Sequence, residues 1–397
     1  MRILALKRKH DLETELARVG ADPESWPIFL ARSDSLAFWV PGLSTAGANI
    51  LKQTALACGG DCAVHRMVAS GKVRRSDAVL FLNRRQAEVL CVKLEAQPAC
   101  VSRFIPELKT LISREFAQPH VIAVGRKRID LAARTYVMGV LNVTPDSFYD
   151  GGRYADPDVA AEQALEMERS GADFIDIGAE STRPGARPVL PKKQMARLLP
   201  VLRRLKRRVR VPVSVDTTSA EVAKAALGEG AQMVNDISGL AFDRGMGKVI
   251  ARAGVPCVVM HIKGKPRTMQ RHPEYKNLMQ EVADGLEAAV SRATDAGAKR
   301  EQVIVDPGIG FGKRAEHNLE ILRRLGELRT LGSPILVGPS RKSFIGAVTG
   351  LEPEQRLEGT LAACVLAARH GANVVRVHDV KETVRALRLA DAVMARN

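Results

Sequence analysis

The stretch VMGVLNV at residues 137–143 is the first of eight short runs rich in β-branched and aliphatic residues, and their number predicts the fold. A short run that is apolar almost throughout is typical of a strand buried on both faces. Longer amphipathic segments separate the runs. The predicted strands are residues 137–143, 174–178, 213–217, 233–238, 257–262, 303–307, 335–338 and 374–377.

The segments between these runs place apolar residues at helical spacing. The clearest predicted helices are residues 156–170, 219–229, 277–296, 315–328 and 355–370. Eight strands that alternate with helices predict an α/β protein with a closed (β/α)8 TIM barrel rather than a doubly wound sheet. Residues 121–131 predict a hairpin around Gly125 and Arg126, which we expect to close the barrel floor.

Residues 1–118 do not repeat the strand and helix pattern of the later units. We interpret them as a smaller N-terminal α/β domain before a barrel at residues 119–397. Its predicted elements are a helix at residues 48–58, a strand at 77–82 and a helix at 84–94. Cys58 and Cys62 are interpreted as packed thiols, since only a lone His65 lies close enough in sequence to extend a metal-ligand set. No combination of residues in this region indicates a catalytic or binding site.

The composition indicates a globular chain of 397 residues that is 46% hydrophobic and only 4% aromatic. The net charge is +16, but the basic residues are spread along helices and few aromatic rings are present to stack on bases, so no nucleic-acid partner is predicted. The densest basic run, residues 203–210, is interpreted as a solvated helix end, with an anionic partner as the alternative.

Six cysteines are few for this length, and none shows the C-x-x-C spacing of a zinc site. The sequence also shows no signal-peptide pattern and no stretch of about 20 apolar residues that would span a membrane. A cytoplasmic protein without a membrane partner is therefore expected.

Polar residues follow nearly every predicted strand, at the end of a barrel where active sites lie. They are Asn142, Glu180, Ser181, Thr182, Arg183, Asp216, Asn235, Asp236, Met260 with His261, Asp306, residues 340–343, Arg376, His378 and Asp379. A single Asp or Asn at such a position commonly caps the next helix. Polar groups at eight strand ends together indicate a binding site, since burying them without partners costs free energy.

Two chemical sets stand out in this group. One set combines carboxylates, an amide and an ammonium group, which suit the edge of a flat heterocycle: Asp216, Asn235, Asp306 and Lys342. The other set suits phosphate oxygens: Asn142, Arg183, Arg376 and His378. A heterocycle that carries a diphosphate matches both sets.

The runs MGVLNVTPDSFYDGG at residues 138–152 and GADFIDIGAESTRPG at residues 171–185 resemble the first two signatures of the dihydropteroate synthase family. Further matches are SVDT at 214–217, NDIS at 235–238, DPGIGFGK at 306–313, SRK at 340–342 and RVHD at 376–379. The resemblance covers essentially all of residues 119–397. The N-terminal extension departs from the common short form of the family.

The resemblance implies that the chain joins 6-hydroxymethyl-7,8-dihydropterin diphosphate to p-aminobenzoate, and that it forms a homodimer. It implies that Asn142 would hold Mg²⁺ and the diphosphate, with Arg183, Arg376 and His378 on the phosphate oxygens. The implied pterin side consists of Asp216, Asn235, Met260, Asp306 and Lys342. The implied p-aminobenzoate pocket, where sulfonamides compete in this family, consists of Thr182, Pro184, Phe311 and Ser343.

The mechanism expected for such a site has no covalent enzyme intermediate, because no Ser-His-Asp or Cys-His pair is evident in the sequence. The bond from carbon to diphosphate oxygen would break first and leave a pterin methylene cation, which the aryl amine then attacks. The residues expected to act in catalysis are Asp216, Asp306, Lys342 and Arg376. We expect the loops after the first two strands to close over the diphosphate.

Two other functions are compatible with parts of this pattern. A pterin-binding methyltransferase barrel would use similar carboxylate and amide contacts, but it would not need the phosphate set. A catalytically silent pterin-binding module would leave the work to residues 1–118, but it would have no need of Asn142, Lys342, Arg376 and His378 together.

Overall fold

The structure is a computed structural model that describes residues 4, 9–33, 35–116, 120–125, 127–144, 156–181 and 188–394. The chain divides into two compact units, Met1–Phe116 and Ala117–Asn397. Among the described residues, no helix is both long enough and apolar enough to cross a membrane.

The N-terminal unit is built on a three-stranded antiparallel sheet with the strand order β1-β3-β2. Its elements are α1 Lys9–Val19, α2 Trp26–Ser33, β1 Leu36–Ser44, α3 Thr45–Leu56, β2 Asp61–Val64, β3 Arg75–Leu82, α4 Arg84–Glu95, α5 Ala99–Ser102 and α6 Ile105–Phe116. The two predicted helices and the predicted strand are confirmed as α3, α4 and β3.

The core of this unit lies on one side of the sheet, because buried residues such as Ala78, Leu80 and Leu82 alternate with exposed ones along β3. Helix α3 begins three residues earlier than predicted, since the Ser44 side chain caps it by accepting a hydrogen bond from the backbone N–H of Gly47. Cys62 is buried in this core and Cys58 packs against it.

The second unit begins with a hairpin and continues as alternating strands and helices. Its strands are β4 Val121–Val124, β5 Lys127–Asp130, β6 Tyr136–Asn142, β7 Phe174–Gly178, β8 Val213–Asp216, β9 Met233–Asp236, β10 Cys257–Met260, β11 Val303–Asp306, β12 Leu336–Val337 and β13 Val374–Val377. Its helices are α7 Pro157–Arg169, α8 Pro191–Leu205, α9 Ala220–Gly228, α10 Met246–Ala253, α11 Leu278–Asp295, α12 Ala315–Arg323, α13 Ser343–Thr349, α14 Leu357–Arg369 and α15 Val380–Met394.

Strands β6 to β13 form one eight-stranded parallel sheet with the order β11-β10-β9-β8-β7-β6-β13-β12. A single bridge between Val305 and Ile335 joins the two ends of this order and closes the ring. All eight predicted strands and the TIM-barrel fold are confirmed. Strand β12 is only two residues long, because Pro334 before it has no N–H to pair and Pro339 follows it closely.

Helices surround the barrel, and the outward-facing strand residues pack against their apolar faces in one large core cluster. The five predicted helices are present. The predicted helix at residues 315–328 is wrong in its second half, because α12 ends at Arg323 and a 3₁₀ segment, Leu325–Leu331, follows. Arg324 has left helical geometry at φ −106°, and Gly326 lies just beyond, where it weakens a helix.

The hairpin β4–β5 closes the floor of the barrel, as predicted. Ile122, Val124 and Leu131 are each at most 1% exposed. They pack against the first residues of the barrel strands, among them Phe174 and Ile304. The polar residues at the opposite ends of the strands are therefore the ones that surround the open mouth.

The basic run at residues 203–210 spans the end of α8, and half of its cations are paired. Arg203 donates to Glu229 at 2.7 Å, while Arg204 and Arg208 form ion pairs with Asp158 and Glu162. These carboxylates belong to the neighbouring helices or to the turns at their ends. The contacts support the interpretation of this run as a solvated helix end.

Candidate active site

The predicted site residues that the structure describes lie around one rim of the barrel, at the carboxyl ends of the parallel strands. Strand register puts Asp216 beside Asn235 and Met260 beside Asp306. Asn142, the last residue of β6, lies beside Gly178 at the end of β7. The structure therefore brings together side chains that lie up to 236 positions apart in the sequence, from Asn142 to His378.

Arg376 lies at the centre of the site and is held between two carboxylates. Its Nε donates to Oδ2 of Asp176 at 2.7 Å, and its Nη2 donates to Oδ2 of Asp216 at 2.8 Å. Asn235 Nδ2 donates to the same Asp176 oxygen at 2.8 Å. Four side chains from four strands thus form one hydrogen-bonded network.

Asp176 belongs to this network but was not among the predicted site residues. It is fully buried and orients both Arg376 and Asn235, yet it lies in the middle of the apolar run FIDIG, away from the strand end. An inward-facing carboxylate in an otherwise apolar strand was the signal that could have found it.

Burial controls the protonation of the site carboxylates. It raises the pKa of Asp216 to about 7, against the lowering effect of Arg376. Burial also raises the pKa of Asp306, which Lys342 opposes. Asp306 Oδ1 accepts a hydrogen bond from Gly308 N at 2.7 Å, so the carboxylate is fixed at the start of the next loop.

Lys342 follows a residue in a strained conformation. Arg341 has φ +54°, which a residue other than glycine adopts at a cost. Its guanidinium bonds Asp379, with Nε to Oδ2 at 3.0 Å, and its backbone N–H donates to Thr360. These contacts fix the backbone that carries Lys342 into the mouth.

The Lys342 ammonium group donates to the carbonyl of Ile309 and lies 4.5 Å from the centre of the Phe311 ring. Burial lowers the pKa of Lys342 to about 8, while Asp306 acts in the opposite direction. Lys342, Asp306 and Phe311 therefore form one continuous wall of the mouth.

His378 is exposed on the rim, and the desolvation of its ring nitrogens followed by the nearby Arg376 and Arg341 lowers its pKa, which favours the neutral form at pH 7. Ser340 Oγ accepts a hydrogen bond from the His378 backbone and lies 3.0 Å from Nδ1. The Ser340 hydroxyl hydrogen is thus available to Nδ1, which favours the tautomer with a proton on Nε2. That proton suits an anionic oxygen.

The remaining predicted positions differ in what the structure shows. Met260 is buried at the end of β10, Phe311 is half-buried, and Ser343 is exposed as the first residue of α13. The predicted positions Thr182, Arg183 and Pro184 lie outside the described residues. Asn142 is half-buried, and its side chain has no hydrogen bond to another described residue.

Known proteins of similar sequence identify the family. A family model described as a pterin binding enzyme matches residues 138–378. The chain is 47% identical over 276 residues to the dihydropteroate synthase of Synechocystis sp. This match covers 69% of this chain and 96% of the relative. The chain belongs to the dihydropteroate synthase family.

Solved structures of dihydropteroate synthases share the fold. The Xanthomonas albilineans enzyme with 4-aminobenzoic acid has a TM-score of 0.66 at 41% identity, over 70% of this chain and 99% of that one. The Clostridium difficile enzyme in the presence of pteroic acid has a TM-score of 0.63 at 45% identity, over 67% and 98%. The family is one of transferases in folate biosynthesis.

Proposed function

We propose that this chain condenses 6-hydroxymethyl-7,8-dihydropterin diphosphate with p-aminobenzoate to give 7,8-dihydropteroate and diphosphate. One observation carries the proposal beyond the family assignment. Arg376 is held by Asp176 and Asp216 in a network that includes Asn235. Carboxylate, amide and guanidinium groups are thus already oriented for a substrate that combines a heterocycle with an anion.

The pterin would lie against Asp216, Asn235, Met260, Asp306 and Lys342. The carboxylates of Asp216 and Asp306 can accept hydrogen bonds from ring and amino N–H groups, and Lys342 can donate to a ring acceptor. Because Asn235 Nδ2 donates to Asp176, its side-chain oxygen remains as the acceptor toward a ligand. The buried Met260 adds an apolar surface for the flat ring.

The diphosphate would lie against Arg376, His378 and Asn142, with Arg183 as a further proposed contact. Arg376 uses Nε and Nη2 for its two carboxylates, so the hydrogens on Nη1 can donate to a phosphate oxygen. A neutral His378 with its proton on Nε2 adds a second donor. The p-aminobenzoate would lie against Phe311 and Ser343, with Thr182 and Pro184 completing the pocket.

The residues present fit a Mg²⁺ ion that the substrate itself helps to hold. Within the described residues, no cluster of three or more His, Cys, Asp or Glu side chains could form a metal cage. Mg²⁺ commonly uses one or two protein oxygens and takes its other ligands from phosphates and water. The amide oxygen of Asn142 is the proposed protein ligand, and a bound ion would offset the negative charge of the leaving diphosphate.

The reaction proceeds by cleavage of the bond between the pterin methylene carbon and the diphosphate oxygen. The electron pair leaves with the diphosphate, whose charge Arg376 and His378 stabilise. Asp216 and Asp306 stabilise the pterin methylene cation that remains. The amine nitrogen of p-aminobenzoate then forms the new C–N bond and loses a proton.

We also propose that catalysis belongs to the second unit and that the barrel forms a homodimer. Helices α12 to α15 expose a series of large apolar side chains that a second copy could cover: Leu319, Val348, Leu366, Leu389 and Val393. A cytoplasmic location is the accompanying proposal, since all six cysteines are free thiols.

The test is diphosphate release from the pterin diphosphate, with Mg²⁺, in the presence and absence of p-aminobenzoate. Dihydropteroate should form only with all components, and Lys342→Ala should lower kcat/KM by about 100-fold or more. Lys381→Ala, at an exposed position on α15, is the matched control. If folded wild-type protein binds the pterin and makes no product, the chain is a silent pterin-binding module and the proposed activity is wrong.

A further inference from the structure

Lys313 is a buried lysine that the proposed reaction does not use. It follows β11 at the end of the run DPGIGFGK and is only 2% exposed. No carboxylate in the described part of the chain forms an ion pair with it, although Asp306 lies close enough to favour its charge. Burying an ammonium group without an ion pair costs free energy, so other contacts must stabilise Lys313 in this position.

The Lys313 ammonium nitrogen contacts three acceptors on two loops. It donates to the carbonyl of Phe311 at 3.0 Å and to the carbonyl of His261 at 3.3 Å, and it lies 2.9 Å from His261 Nδ1. Burial and then the nearby lysines lower the pKa of His261 to about 3, so its Nδ1 can accept. In its ammonium form Lys313 has three N–H groups for these three acceptors.

These contacts join the loops that follow two adjacent strands. His261 comes directly after Met260, the last residue of β10, and its backbone N–H donates to the carbonyl of Asp306 at the end of β11. Phe311 lies on the next loop, with its ring against Lys342. Lys313 therefore connects the wall proposed for p-aminobenzoate to the part of the rim proposed for the pterin.

The loop that carries Phe311 has little regular structure of its own. Gly308, Gly310 and Gly312 all have positive φ. The loop also lies very close to its neighbour, since a Cβ on Gly308 would come within 2.0 Å of the carbonyl oxygen of His261. Such a loop keeps one shape only when side chains hold it.

Among the described residues, six side chains hold this loop. Asp306 accepts a hydrogen bond from Gly308 N and Asn318 accepts one from Gly310 N, while Gln270, Tyr275, Lys342 and Lys313 donate to the carbonyls of Gly310, Gly312, Ile309 and Phe311 respectively. Lys313 alone among them bonds Phe311 itself. It is also fully enclosed, and burial lowers its pKa to about 7.

We propose that Lys313 is a positioning residue that fixes the Phe311 ring against Lys342 and thereby sets the affinity for p-aminobenzoate. The inference rests on the proposed synthase activity, because it specifies one substrate of that reaction. Lys313 does not touch the reacting atoms. It acts through the Phe311 carbonyl, and the loop transmits its effect to the ring.

The test separates the two substrates. Lys313→Met preserves the length of the side chain and removes all three hydrogen bonds. We expect KM for p-aminobenzoate to rise by about tenfold, while KM for the pterin diphosphate changes by less than about twofold. Lys313→Arg, which keeps a cationic donor, should recover part of the loss. Lys248→Met, at an exposed position on α10, is the matched control.

Equal changes in both KM values, or no change in either, would overturn the proposal. If Lys313→Met does not fold, Lys313→Gln is tested by the same comparison, and failure of both to fold would show a purely structural role. Calorimetric titration of p-aminobenzoate into protein saturated with 6-hydroxymethylpterin and diphosphate measures the same affinity without turnover. Wild-type protein without activity would thus reject the proposed reaction and leave the role of Lys313 to be decided by binding.

Discussion

Asp176 accepts hydrogen bonds from Arg376 and Asn235 on one carboxylate oxygen, so two substrate-facing side chains depend on a single buried anion. Asp176→Asn would keep an oxygen acceptor but would remove the negative charge that holds the Arg376 guanidinium. We expect kcat/KM to fall by about 100-fold, measured by dihydropteroate formation. Asp295→Asn, at an exposed position on α11, is the control. An unchanged kcat/KM would show that Asp216 alone orients Arg376.

The protonation of two site residues predicts a bell-shaped pH profile. Asp216 has a pKa raised to about 7, so below that pH it is protonated and can no longer accept two hydrogen bonds from the pterin. Lys342 has a pKa lowered to about 8, so above that pH it loses its charge. We expect kcat/KM to be greatest between these values and to fall on both sides, over a measured range of about pH 6 to 9.

Two variants assign the limbs of that profile. In Asp216→Asn the acid limb should disappear from the residual activity, and in Lys342→Arg the alkaline limb should move beyond the measured range because arginine keeps its charge. Acid and alkaline limbs that persist in both variants would assign the titration to other groups, such as the substrates.

The sequence predicts most residues of the candidate site, because the strand ends of a barrel meet on one rim. Asp216, Asn235, Asp306, Lys342 and Arg376 follow from that geometry. Asp176 and Lys313 do not, since their roles depend on which atoms they reach in space. The spacing between Lys313 and His261 in the sequence gives no sign that their side chains meet.

The hairpin β4–β5 closes the barrel floor with buried apolar side chains. Ile122 is fully buried between the hairpin and the strand starts. We expect Ile122→Ala to lower the free energy of unfolding by about 2 to 5 kcal/mol, because it leaves a cavity in the floor. Urea unfolding followed by circular dichroism measures the change.

Arg128→Ala, at an exposed position on the same hairpin, is the control and should change stability by about 0.5 kcal/mol or less. If both variants unfold at the wild-type urea concentration, the hairpin does not contribute to the stability of the barrel.

Strands were easier to predict than helix ends. The eight apolar runs match β6 to β13 closely, since a strand buried on both faces leaves a simple pattern. The break after Arg323 could not be predicted from periodicity, because the 3₁₀ segment that follows keeps burying leucines such as Leu325 and Leu328. Apolar spacing reports which residues face the core and does not distinguish an α-helical turn from a tighter one.

The proposed homodimer would bury apolar side chains that α15 exposes. Leu389 and Val393 on α15 are 70% and 75% exposed, which is unusual for large aliphatic side chains near each other. We expect wild-type protein to be dimeric by light scattering, and the double variant Leu389→Glu, Val393→Glu to be monomeric. Val159→Glu, at an exposed position on α7, should leave the dimer intact. A monomeric wild type would contradict the proposal.

The barrel ring is weakest between β11 and β12, where local opening of the sheet is easiest. A single bridge between Val305 and Ile335 joins β11 to β12, and Val305 N donates to a proline carbonyl there at 2.9 Å. Asp306 and Lys342 lie on opposite sides of this seam. A pterin bound by Asp306 and Lys342 would link β11 to the loop after β12 and so oppose this local opening. Saturating ligand should therefore slow amide hydrogen exchange at Val305 more than at strand positions far from the seam.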